Sequence, residues 1–153
     1  MRWLTLIILM MFPASPHAGI AVSTARIIKV LPCHLDAHGR HTLSPSLYER
    51  DAYQFYLRRH PKECAGLRFD IQWKGRFANP VGVKMRAELR TSKNALAPPL
   101  VLERTLEPRG RFSQWSSLVL DGQGFKDAGE ILAWRVTLSE GTHVLAENKS
   151  FLW

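Results

Sequence analysis

A chain of 153 residues, 46% of them hydrophobic, can build one domain with a real core but is too short for two. Lysine and arginine number 21 against 13 acidic residues, a formal net charge of +8. That balance attracts a protein to anionic surfaces without defining a ligand, and it serves solubility equally well.

The chain opens with M-R-W and the apolar run L-T-L-I-I-L-M-M-F, which ends at Pro13. A basic start, a short apolar core and small residues beyond it are the parts of a secretory signal peptide. The run is about half of the roughly 20 residues that a membrane-spanning helix needs. Residues 1–25 are therefore expected to be a leader, cut at about 18–25, and residues 26–153 a single exported domain in the periplasm or outside the cell. No transmembrane anchor is expected after cleavage. Cys33 and Cys64 both lie in the exported part, where a disulfide between them is the default.

The elements follow in chain order. R-I-I-K-V-L (26–31) reads as a first strand stopped by Pro32. A polar loop, C-H-L-D-A-H-G-R-H-T, leads to a helix over about 45–59, with Ser44 as N-cap, Pro45 at the first helical position and Pro61 beyond the end. On that helix Tyr48, Ala52, Phe55, Tyr56 and the stem of Arg59 share one arc, while Arg50, Asp51, Gln54 and Arg58 share the opposite one. The aromatic arc is expected to be the buried face of a lid over an open edge of the strands. Thereafter the period changes to two. Leu67, Phe69, Ile71 and Trp73 alternate with Arg68, Asp70, Gln72 and Lys74. Val81, Val83, Met85, Ala87 and Leu89 alternate with Lys84, Arg86, Glu88 and Arg90. Further strands are read at 101–106, 112–120, 131–138 (with Leu132, Trp134, Val136 and Leu138 inward) and 144–153.

About seven short strands with one α-helix inserted after the first predict a mostly β fold, an antiparallel two-sheet sandwich. The strand count resembles immunoglobulin and fibronectin-III sandwiches in architecture only, and it identifies no family.

Three constellations are candidates for function. His34, Asp36, His38 and His41 are weak metal ligands by type, but Gly39 breaks the helical spacing that would converge them. The outward cations Arg68, Lys74, Lys84, Arg86 and Arg90 could merge into one basic face if their strands are neighbours. Trp115 and Trp153 would then add stacking platforms for sugars. Signatures of hydrolases, zinc proteases and phosphate-binding loops are absent, and Asp70, Glu88, Glu103 and Glu147 fall on solvent faces beside basic residues. The expectation is thus a non-catalytic interaction module without a cofactor, with an envelope protein as partner. The alternative is a carbohydrate-binding module for an anionic glycan, and the third reading a small hydrolase or metal-binding protein. Nucleic acid is not expected as a ligand.

Overall fold

A computed structural model describes residues 22–94, 97–110 and 112–153 of the chain. The expected leader lies, up to residue 21, outside the described residues. Among the described residues no helix is long and apolar enough to cross a membrane.

The strands are β1 (Thr24–Asp36), β2 (Cys64–Arg76), β3 (Val83–Thr91), β4 (Leu100–Thr105), β5 (Gln114–Asp121), β6 (Ile131–Glu140) and β7 (His143–Lys149). Helix α1 spans Leu47–Arg59 and a short α2 spans Gly122–Ala128. Two antiparallel sheets form, one in the order β1-β2-β5 and the other β4-β3-β6-β7. Their inner faces carry the period-two residues: Leu67, Phe69, Ile71 and Trp73 from β2 meet Val83, Met85, Ala87 and Leu89 from β3, with Leu118, Leu120, Val136 and Leu138. The Trp73 indole donates to Ser116 Oγ at 3.0 Å, so its one polar atom is satisfied inside the core.

Several local expectations need correction, among them the single helix, since α2 follows β5 as a second one. Pro32 does not stop β1, which runs on with Pro32 opposite Phe69; as an edge strand it loses no ladder bond to the missing N–H on its open side. The α1 cap is Ser46, not Ser44: Ser46 Oγ accepts from the Glu49 amide at 3.5 Å, in the Ser-x-x-Glu spacing of a capping box. Val81 is exposed in the turn before β3, and Leu132 is exposed because the ladder steps from Arg90–Ala133 to Thr91–Ile131, leaving Leu132 in a bulge. The last strand ends at Lys149, after which the chain turns and Trp153 N–H returns to the Ser150 carbonyl at 3.2 Å.

The expected disulfide is not formed; both cysteines are free. The β1–β2 register places Cys33 opposite Arg68 and Cys64 opposite Asp36. Three ladder positions separate them, roughly 10 Å along the strands, beyond the ~7 Å that a disulfide spans between Cα atoms. The Cys64 thiol instead donates to the Leu57 carbonyl at 3.2 Å. Burial pushes both thiols above their ordinary pKa, with Asp70 adding to the effect at Cys33 and Glu63 at Cys64, which works against thiolate chemistry.

Candidate functional site

Helix α1 does cover an edge, but with the opposite face from the one its aromatic pattern suggests. Gln54 is 5% exposed and Leu57 is fully buried, whereas Tyr48 is 84% and Phe55 58% exposed. The reason lies in what the helix covers. At His34 the N–H and C=O of β1 point away from β2, and Gln54 meets both: its Oε1 accepts from His34 N–H at 2.7 Å and its Nε2 donates to His34 O at 2.9 Å. The same Nε2 donates to His41 O at 2.8 Å. One side-chain amide thus acts as a short length of partner strand for an edge that would otherwise stay open.

Asp36 completes the attachment. Its carboxylate accepts from His38 N–H at 2.8 Å, Arg40 N–H at 2.9 Å, Arg40 Nε at 2.9 Å and the Tyr53 hydroxyl at 2.9 Å. Burial alone would raise its pKa, but these donors outweigh burial and hold the carboxyl well below the usual range. The result is a rigid helix whose outward stripe of Tyr48, Ala52, Phe55, Tyr56 and Arg59 faces solvent. Within that stripe the Arg59 guanidinium lies 5.0 Å from the Phe55 ring centroid, and His60 stacks on Tyr56 at 4.1 Å.

The histidines do not converge. His34 and His41 are half-buried on either side of the Gln54 contact, while His38 is exposed and 4.0 Å from Asp36. Among the described residues no group of three or more histidine, cysteine or acidic side chains is placed to hold a metal ion. Burial pushes both half-buried rings below the ordinary histidine pKa; Arg58 adds to this at His34 and Arg68 at His41. Groups kept neutral in the fold take up protons more readily when unfolded, so stability rises with pH in their range. Their contribution is complete above the unfolded value near 6.5 and is lost as pH falls from there toward the lowered folded values. The urea midpoint is therefore expected to drop between pH 7.5 and pH 5, with a smaller drop in His34→Gln. An equal drop in that variant would remove His34 from the account.

The proposed single basic face is not assembled. Arg68 and Lys74 belong to β2 in the first sheet, and Lys84, Arg86 and Arg90 to β3 in the second, so they look out from opposite sides of the sandwich. On the second sheet the charges form a mixed ladder: Lys84 with Glu103 at 3.0 Å, Arg86 with Glu88 at 3.2 Å, Arg135 with Glu88, and Lys149 with Glu147 at 3.8 Å. Arg90 and Arg135 lie over the Trp153 ring, 5.0 and 4.8 Å from its centroid, so this indole tethers the chain end and is no open platform. On the first sheet Arg68 is bound to Asp70 at 2.7 Å and reaches His41 Nδ1 at 3.1 Å.

Trp115 is different. It projects from the outer side of β5, 53% exposed, opposite Gln72. It also lines a cleft of about 490 Å³ at the β4–β5 edge with Arg104, Arg109 and Gln114. Arg104 escapes the sequence reading because only the approach of β4 to β5 brings it to this cleft, whereas Arg109 reaches it from the connection that leads into β5. Gln54 escapes it too: a lone glutamine on a charged helical arc gives no sign that its backbone partners lie 20 and 13 residues away.

Fold and surfaces together define a two-sheet antiparallel β-sandwich with an edge-capping helix. No protein-family model, no curated protein and no solved structure matches the chain.

Proposed function

We propose that this is an exported, non-catalytic interaction module that docks a partner protein in the cell envelope or outside the cell through the outer face of α1. One observation carries the reading: the most aromatic stripe of the chain stays exposed on a helix that is itself fixed to the sandwich by buried polar bonds. A preorganised aromatic surface loses little conformational entropy on binding, and tyrosine is among the residues enriched at binding hot spots. A lipid surface is the weaker occupant. Glu49 is exposed beside the stripe, and Arg50 is tied to Asp51 at 2.9 Å, which dilutes attraction to anionic headgroups.

Two finer points belong to the same proposal. Connectivity of the kind β1-β2-β5 over β4-β3-β6-β7 supports an immunoglobulin/fibronectin-III-like sandwich in which the fourth strand joins the second sheet, not the first as in immunoglobulin constant domains. Ser23, just before β1, accepts from the Ala78 amide at 2.9 Å and also bonds Glu140, which supports a leader cut ahead of Ser23 over one after Ala25.

The test is capture from an envelope fraction at high salt with the wild-type protein and with Tyr48→Ala/Phe55→Ala. Both side chains are exposed, so the variant should stay within about 0.5 kcal/mol of wild-type stability. Retention of a protein partner by the wild type, reduced about tenfold or more in the variant, is the expected result. Equal retention by both would remove α1 from the proposal.

A further inference from the structure

The end of the first sheet away from α1 carries facing cations without a countercharge among the described residues, unlike Arg135 and Lys149 on the second sheet, which also face each other but are paired with Glu88 and Glu147. Arg26 of β1 stands directly opposite Lys74 of β2, and Arg76 follows on the same side of β2. Like charges facing each other across a ladder destabilise it. Among the described residues none of these three makes an ion pair, whereas on the second sheet Lys84, Arg86, Arg135 and Lys149 all do. Lys29, opposite Gln72, adds a fourth exposed cation to this face. The nearest outward carboxylate along β2, Asp70, is already held by Arg68 at 2.7 Å and by the Ser117 hydroxyl at 2.6 Å. Arg26, Lys74 and Arg76 rim a concavity of about 320 Å³, within the size range of small-ligand sites.

One strand further across, in the same row as Lys29 and Gln72, is the exposed indole of Trp115. The face therefore presents cations, an amide and an aromatic plane in sequence over the width of the sheet. We infer that this face binds an anionic polysaccharide, with Arg26, Lys74 and Arg76 taking the carboxylate or sulfate groups and Trp115 stacking on the apolar side of a sugar ring. The unrelieved Arg26–Lys74 pair is the site's signature: a polyanion supplies the countercharge that the fold leaves out. A phospholipid surface could engage the same cations and the same indole, since tryptophan favours the headgroup level of a bilayer, so vesicles are the competing occupant in the test. The surface is separate from the outer face of α1, so it stands or falls independently of that docking reading.

The test is calorimetric titration of the protein, purified from the exported fraction, with a uronate oligosaccharide and a sulfated one. A neutral oligosaccharide of equal length and phosphatidylglycerol vesicles run alongside. Binding of at least one charged oligosaccharide and not of the neutral one is expected. Arg26→Gln/Lys74→Gln should weaken it about tenfold or more, while Lys84→Gln/Arg86→Gln, with the same change in net charge, should stay within about twofold. Trp115→Ala should weaken saccharide binding and leave vesicle binding unchanged. Lys74→Gln alone supplies a readout that a structural lysine would not give: a higher urea midpoint together with weaker binding, because the variant relieves the repulsion. Equal loss in the two double variants, or no binding to either charged oligosaccharide at low salt, overturns the inference. So does vesicle binding that follows the same residues, Trp115 included.

Discussion

Asp36→Ala is expected to cost about 2–4 kcal/mol and to loosen α1 before the sandwich. The magnitude follows from the donors left behind. Hydrogen bonds to a charged group are worth about 1.5–3 kcal/mol each, but His38 and Arg40 are exposed and their amides can turn to water, so only part of the sum is lost. The Tyr53 hydroxyl and the half-enclosed loop bear the rest. Hydrogen exchange is the discriminating measurement. Amides of α1 and of residues 37–43 should exchange faster in the variant, while those of β2 and β3 keep their protection. Asp36→Asn retains an acceptor oxygen for the two amides and should lose less. The sign with pH is also set. A carboxyl whose folded pKa is depressed stabilises the fold above its unfolded value, near 3.9, and that contribution is lost as pH falls below it. The acid limb of the stability profile should therefore flatten in the asparagine variant. Uniform loss of protection in Asp36→Ala would mean that helix and sandwich unfold as one unit.

Trp73→Ala is expected to act globally, costing about 3–5 kcal/mol. The indole is 1% exposed between the sheets, meets Phe77 edge-on at 6.1 Å between centroids, and donates to Ser116. Its removal leaves a cavity that neighbours on two rigid ladders cannot close, and it takes away Ser116's inner partner as well. Against a total stability of about 5–15 kcal/mol for a domain of this size, the variant sits near its unfolding limit. Urea unfolding followed by far-ultraviolet circular dichroism should show a large fall in midpoint with an unchanged slope. Trp73→Phe keeps most of the ring volume and should recover more than half of the loss. A fall of under 1 kcal/mol in the alanine variant would show that Trp73 is not central to the core.

These two substitutions separate what the sequence could say from what it could not. The inward face of β2 was readable because a strand buried on one side must alternate, and L-R-F-D-I-Q-W-K does so without exception. The same holds for Val83 through Leu89 on β3. The existence and rough extent of α1 were readable too, from local chemistry at its ends: serines before it and Pro61 after it. Its function as an edge cover was also expected, but not the face that does the covering.

That face was decided by partners far away in the chain. A hydrophobic stripe points inward when a helix packs on an apolar surface, yet α1 meets the open backbone of β1, where the demand is for a donor and an acceptor. Gln54 satisfies that demand, and the aromatic residues are left to solvent. The partition of strands was likewise beyond local reading. Alternation marks Lys74 and Lys84 alike as outward, but only the assignment of β2 to one sheet and β3 to the other sends them to opposite sides. Arg26 becomes part of a cation cluster through the β1–β2 register alone. Sequence by itself determined the two-sheet strand pattern, α1 and the alternating core of β2 and β3, because those depend on period and on local backbone chemistry; the short α2 and the exposure of Val81 and Leu132 were not among them. Tertiary structure alone decided which surfaces remain exposed and charged, because that depends on pairings between residues far apart in the chain.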